Sequence, residues 1–335
     1  MNAQPNSIAA LFDPSVANAR LREQSVCRAA VVGTGVIGAS WVALFLACGL
    51  EVTATDIAPR AASELDLFLN SAWPTLVQLG APTRLPRDRL RFAADLETAV
   101  DGADWVQENG PERLEAKRDL FTRLDRAAPA TAILASSSSG LLPSQFQDAC
   151  ARHPERCLIG HPFNPPHLIP LVELVGGPMT APTAVDRAEA FYRALGKTTI
   201  RVRKEVPGHV GNRLAAALWR EFVHLATEDV ASVADLDIAV TAALGLRWSI
   251  MGPALTYHLG GGSGGIRDFL THLGGPFEQW WATLGTPTLT PDVKEKLVAG
   301  VESEQAGQPM SELTKRRDQY LLQILRTVQP IVSTE

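Results

Sequence analysis

One stretch limits what this chain can fold into more than any other: Ala29-Ala30-Val31-Val32-Gly33-Thr34-Gly35-Val36-Ile37-Gly38-Ala39-Ser40-Trp41. A short apolar strand runs into a Gly-x-Gly-x-x-Gly turn and then into an apolar helix. Gly33 permits the tight turn, Gly35 lets a backbone approach a diphosphate, and Gly38 lets helix and strand pack closely. The helix start at Val36 and Ile37 offers unpaired N–H groups and a positive dipole end. The next strand ends in Asp56, 23 residues after Gly33. A carboxylate there binds ribose hydroxyls and repels a 2′-phosphate. The order predicts a dinucleotide site built from Gly33, Gly35, Val36, Ile37, Gly38 and Asp56, with NAD as cofactor.

A chain of 335 residues exceeds what one core comfortably serves, since single cores stop growing at roughly 250–300 residues. From Ala29 to about Arg203, strand-like runs alternate with helical stretches: Ala29–Val32, Glu51–Thr55, Asp104–Gln107, Ala132–Ala135, Cys157–Gly160 and Leu171–Val175. Such alternation predicts a parallel sheet covered by helices. After Pro207-Gly208 helical spacing takes over, with Leu214, Leu218, Phe222 and Leu225 on one stripe and Ser232 placed to cap a helix over 233–243. The expected organisation is an α/β chain: an arm at 1–26, a Rossmann-type dinucleotide domain at 27–205 and an all-helical domain at 206–335. The glycine-rich run from Gly260 to Gly265 reads as a flexible loop between helices.

The second informative stretch is His161-Pro162-Phe163-Asn164-Pro165-Pro166, which returns through Leu171-Val172-Glu173-Leu174-Val175. A carboxylate among Val and Leu is costly to bury alone. The reading is that Glu173 meets His161 across the turn, fixing its tautomer and supporting its charge. A histidine suits proton transfer near neutral pH. The net charge of −5 gives no basic surface for nucleic acid. No apolar run reaches the ~18–20 residues of a membrane span, and residues 1–24 lack a leader pattern. Cys27, Cys48, Cys150 and Cys157 have no metal-like spacing; buried free thiols in a reducing cytoplasm are expected, and no metal. His153, His167, His209, His224, His258 and His272 read as surface or packing residues.

On "GTGVIG", "QENGPERLEAK", "ASSSSGLLPS", "IGHPFNPPHLIPLVELV" and "VRKEVPGHVGNRL", the chain resembles the 3-hydroxyacyl-CoA dehydrogenase superfamily. On "RKEVPG", "LWRE" and "GLRWSIMGPALTYHLGGG" it is similar, within that superfamily, to the L-carnitine dehydrogenases. The resemblance implies a homodimer formed through the helical domain and a substrate cleft between domains. It also implies NAD-dependent oxidation of an L-3-hydroxy acid. Family positions carry over to Ser139, His161, Glu173 and Asn212 as catalytic residues, with Ser139 and Asn212 also holding the reacting oxygen. Ser137 is the residue most easily confused with Ser139. Glu112 and Lys117 match positions near the nicotinamide and ribose.

Acyl-CoA members carry a long basic insertion after the second strand, and this chain is compact there, which favours a small free acid. Carnitine presents a trimethylammonium group suited to aromatic faces and a carboxylate suited to a cation. Trp248 and Tyr257 are the expected cage residues, and Arg247 or Lys204 the cation. An L-gulonate 3-dehydrogenase, a short-chain 3-hydroxybutyryl-CoA dehydrogenase and a non-catalytic NAD-binding protein of crystallin type remain open at this point.

Overall fold

The computed structural model describes residues 14–328. Of the expected arm, residues 1–13 lie outside the described residues, and the rest carries a helix, α1 (Pro14–Glu23). The chain divides into two compact units between Arg213 and Leu214.

The first unit continues with β1 (Arg28–Val32), α2 (Val36–Ala47), β2 (Glu51–Thr55), α3 (Ala61–Gln78), β3 (Leu90–Phe92), α4 (Leu96–Val100) and β4 (Trp105–Glu108). Then come α5 (Leu114–Ala127), β5 (Ile133–Ser136), α6 (Pro143–Phe146), β6 (Cys157–Pro162), β7 (Leu171–Gly176), α7 (Pro182–Ala194) and β8 (Thr198–Val202). One eight-stranded sheet results, in the order β3-β2-β1-β4-β5-β6-β7-β8. Strand order reverses beside β1, and ligands of such sheets bind beyond the strand carboxyl ends at that reversal. The ends of β1, β4, β5 and β6 carry Gly33, Asn109, the serines after Ser136, and His161.

The sheet departs from the all-parallel expectation at one pair. β6 and β7 are antiparallel, while β7 and β8 are parallel. The cause is the short connection after Pro162, which holds no crossover helix, and a parallel pair needs one. Two strands, β3 and β8, escaped the sequence reading; both are short or half-exposed and lack a strong apolar run. The core beside the sheet is aromatic, with Trp105 stacked on Phe191 at 3.8 Å and Trp41 5.5 Å from Tyr192.

α8 (Gly211–Thr227) leads into the second unit, which holds α9 (Val233–Ala239), α10 (Leu246–Trp248), α11 (Pro253–Gly260), α12 (Gly265–Thr283), α13 (Pro291–Gln305) and α14 (Met310–Thr327). The Ser232 hydroxyl accepts the Asp235 N–H at 3.1 Å and starts α9, which continues through a π turn over Val240–Gly245. The Gly260–Gly265 run is a tight turn, not a flexible loop: Gly262–Gly264 form a 3₁₀ turn and Gly265 opens α12. Phe222, Ala226, Val233 and Leu236 form a small core, whereas Leu214 is 66% exposed. Among the described residues, no single helix is long and apolar enough to cross a membrane.

Candidate active site

His161 and Glu173 are direct partners across the β6–β7 pair. Opposed residues on antiparallel strands hold their Cβ atoms roughly 4.5–5.5 Å apart on one face. His161 Nδ1 lies 2.8 Å from Glu173 Oε2. A carboxylate only accepts, so Nδ1 carries the proton and Nε2 presents its lone pair. Ser139 Oγ is 3.2 Å from that Nε2, and the Asn212 amide nitrogen is 3.5 Å away. The basic atom of His161 thus faces one hydroxyl and one amide, while the ring itself is buried.

Glu173 is fully buried. Its second oxygen accepts the N–H groups of Val210 and Gly211, each at 2.9 Å. Burial pushes this carboxyl upward, but the His161 bond and the two backbone N–H groups together outweigh burial and hold it below the usual range. The same bonds tie residues 210–211 to the sheet, which delivers Asn212 to His161. The turn between β6 and β7 is pinned as well. Lys197 donates to the carbonyls of Pro166 and Ile169, and Ser40 bonds both the backbone N–H and Nδ1 of His167.

The four consecutive serines take four different partners. Ser136 donates to Glu108 at 2.5 Å. Ser137 donates to Asn109 at 2.7 Å and accepts from Gln107 and Trp41. Ser138 donates to Glu112 at 2.5 Å. Ser139 alone reaches His161. β5 ends at Ser136, and in the irregular backbone beyond it the next three hydroxyls take these separate partners.

Glu112 latches this loop, accepting the N–H groups of Gly140 and Leu141 at 2.8 Å as well. Burial raises its carboxyl, and the Ser138, Leu141 and Gly140 bonds with nearby Lys117 bring it below its usual range. Lys117 does not face the surface: it is 1% exposed, with its ammonium 2.7 Å from both oxygens of buried Glu108. Its charge serves an internal ion pair, which Ser136 and the Gly110 N–H complete.

The glycine turn fits a dinucleotide. Gly33 has φ +85°, and a Cβ there would lie 2.7 Å from the Asn109 carbonyl oxygen. A Cβ at Gly38 would lie 1.8 Å from the Gly33 oxygen. Gly35 differs: its φ is −60°, and a Cβ would meet nothing within 4 Å. No internal packing requires glycine there, and the open space before α2 could admit a close-lying diphosphate. No side chain caps that helix, and Val36 is 62% exposed. Asp56 accepts the Thr34 N–H at 2.6 Å and the Ala58 N–H at 2.9 Å. These bonds hold the acid at the end of β2, close to the turn.

In the second unit, Tyr257 stacks on Phe269 at 4.8 Å and meets Phe277 edge-on at 5.5 Å. Trp248 is half-buried and, among the described residues, no ring contact joins it to Tyr257. Arg247 is exposed, and its Nε bonds the Ala243 carbonyl within the helix at 3.1 Å. Lys204 is exposed in the first unit.

Two residues of the site escaped the sequence reading. Glu108 is one, hidden inside a strand. His209, expected as a surface or packing residue, is the other: it is 0% exposed, with its ring 5.1 Å from that of His161. Its position three residues before Asn212, after Pro207-Gly208, was the available hint.

Known proteins match most of the chain. The family model described as 3-hydroxyacyl-CoA dehydrogenase, NAD binding domain, matches residues 28–206. The corresponding C-terminal domain matches residues 208–305. An L-carnitine dehydrogenase of Streptomyces griseus is 47% identical, covering 90% of each chain. One from Pseudomonas putida is 45% identical, over 89% of this chain and 93% of its own. Among solved structures, an NAD-dependent 5-formyl-3-hydroxy-2-methylpyridine 4-carboxylic acid 5-dehydrogenase superposes with a TM-score of 0.77 at 28% identity. That match covers 91% of this chain and all of the other.

Proposed function

The chain belongs to the 3-hydroxyacyl-CoA dehydrogenase family, and from that premise we propose that it oxidises L-carnitine to 3-dehydrocarnitine with NAD. It is an NAD-dependent oxidoreductase with an N-terminal Rossmann-type domain. The observation carrying the substrate is the identity of 44–47% to curated L-carnitine dehydrogenases over most of both chains. Asp56 at the end of β2 supports NAD over NADP.

In the proposed reaction His161 is the general base. Nε2 takes the proton of the 3-hydroxyl, while Glu173 holds Nδ1–H and offsets the charge that forms on the ring. Ser139 and Asn212 donate hydrogen bonds to the reacting oxygen as it becomes a carbonyl. NAD, when bound, supplies the acceptor for the hydride leaving C3. Gly33, Gly35, Val36, Ile37, Gly38 and Asp56 hold the cofactor. Glu112 shapes the loop beside it, and Lys117 supports that loop from below through Glu108. Trp248 and Tyr257 are proposed to receive the trimethylammonium group and Arg247 the carboxylate, since all three lie in the stretch most like the carnitine dehydrogenases.

The active form is proposed to be a cytoplasmic homodimer joined through the second unit, from Leu214 onward. Leu214, Leu246, Leu259, Leu270, Trp280 and Trp281 are each at least 57% exposed there, and apolar surface of that extent seeks a partner. All four cysteines are free, as a reducing compartment keeps them; Cys48, Cys150 and Cys157 are buried as expected, whereas Cys27 is exposed.

The deciding experiment follows NADH absorbance with L-carnitine, D-carnitine, L-gulonate and L-3-hydroxybutyryl-CoA, each with NAD and NADP. Turnover of L-carnitine alone, with NAD, is expected. Turnover of gulonate or the CoA ester instead would remove carnitine while keeping the His161 chemistry.

A further inference from the structure

We propose that His209 is a positioning residue for this reaction: its neutral ring holds the Ser138 carbonyl and thereby aims the Ser139 hydroxyl at His161. The inference rests on the reading of His161 as the general base.

His209 is fully buried and sits at φ +50°, directly after Gly208 at φ +78°. Few non-glycine residues occupy that region, and its cost is borne where the surroundings demand it. The His209 N–H closes the turn on the Val206 carbonyl at 2.9 Å. Nε2 is 3.0 Å from the carbonyl oxygen of Ser138. A carbonyl only accepts, so Nε2 carries the proton and Nδ1 is a lone pair. That Nδ1 is buried with no hydrogen-bond partner among the described residues.

Two consequences follow. Protonating Nδ1 would create a buried donor without an acceptor, and it would add a second cation 5.1 Å from the His161 ring. The charged groups facing His209 are His161, Glu173 and Glu112. Burial pushes its titration below the ordinary 6.5 and His161 adds to the depression; the Ser138 bond, Glu173 and Glu112 oppose without cancelling it. The ring therefore stays neutral while His161 gains its proton. The Ser138–Ser139 peptide is also held from two directions. Glu112 takes the Ser138 hydroxyl, and His209 takes the carbonyl. Ser139 comes next, exposed and bonded to His161. The same turn sends the Val210 and Gly211 N–H groups to Glu173, so one short segment aligns both ends of the catalytic array.

The test compares wild type with His209→Phe and His209→Gln, using the 3-hydroxy acid that wild type oxidises. Phenylalanine keeps the ring but loses the donor, and kcat is expected to fall ~10-fold or more while the NAD Kd stays within about twofold. Glutamine can donate to the Ser138 carbonyl and is expected to recover most of that loss. In wild type the acid limb of log kcat/KM steepens beyond a slope of one as a second histidine protonates; in His209→Phe it stays at one. A His209→Phe enzyme with the wild-type kcat and limb would overturn the inference, as would glutamine performing no better than phenylalanine. Should His209→Phe fail to fold, the glutamine variant and the wild-type limb decide. Histidine Cε1–H NMR titration of wild type needs no substrate, so it separates failure of this inference from failure of the proposed function. The His209 resonance is expected to titrate below the ordinary 6.5; titration above 6.5 sinks the idea.

Discussion

Glu173 stands directly opposite His161 on the neighbouring antiparallel strand, and its two oxygens face different tasks. Oε2 holds His161 Nδ1 at 2.8 Å, and Oε1 holds the N–H groups that open α8. The two members of the pair therefore fail differently. His161→Ala is expected to lower kcat ~10²–10⁴-fold with little change in NAD affinity. Glu173→Gln loses rate and also loosens residues 210–211, so Tm falls too. Steady-state kinetics with thermal melts checks this; a Glu173→Gln variant that melts like wild type contradicts the double role.

Adjacent serines separate rate from stability. Ser139→Ala removes a donor at the reacting oxygen, and kcat is expected to drop ~10²-fold or more with an unchanged Tm. Ser137→Ala leaves Asn109, Gln107 and Trp41 short of a partner. A loss of about 1–3 kcal/mol in chemical denaturation is expected there, with kcat little changed. The reverse pattern would assign Ser137 to the chemistry.

The glycine turn separates ligand from packing in the same way. Gly38→Ala places a methyl group 1.8 Å from the Gly33 oxygen and is expected to destabilise the fold. Gly35→Ala meets open space, so the apo-protein should melt normally while the NAD Kd rises ~10-fold or more. Calorimetric NAD titration beside a melt distinguishes the two.

Lys197 gives the fold a pH dependence. Burial pushes its ammonium down from 10.5 to about 7, partly offset by Cys48. Above pH 7 the unfolded chain keeps a proton that the folded chain has released, so stability rises with pH. Burial pushes the Cys48 thiol up to about 12, which cancels the rise above its ordinary 9.0, so the informative window is pH 7 to 9. Urea melts of wild type should strengthen across that window. Lys197→Met should abolish the rise, since it removes the titrating group along with the donor to the Pro166 and Ile169 carbonyls. A flat wild-type profile would refute this.

Much of the architecture was legible because it is local. The glycine spacing, the strand before it and Asp56 after it define a βαβ dinucleotide unit through backbone sterics and a helix dipole alone. The switch to helical periodicity after Pro207-Gly208 is likewise written in neighbouring residues. The short, proline-braced return after His161 announced that Glu173 would come back beside it, because register follows from turn length.

What local pattern cannot carry is which groups converge from afar. Four identical serines are indistinguishable in sequence; only the splay of the chain beyond β5 sends Ser139 to His161 and Ser137 into the aromatic core. Lys117 matches a family position near the ribose, and only the fold shows it buried against Glu108. His209 looked like one histidine among several until the turn at Gly208 carried its ring to 5.1 Å from His161. Sequence by itself determined the dinucleotide turn and the kind of domains, because those rest on contacts within a few residues. Tertiary structure decided which hydroxyl, which carboxylate and which second imidazole surround the reacting proton, because those distances exist only after the sheet has brought distant strands together.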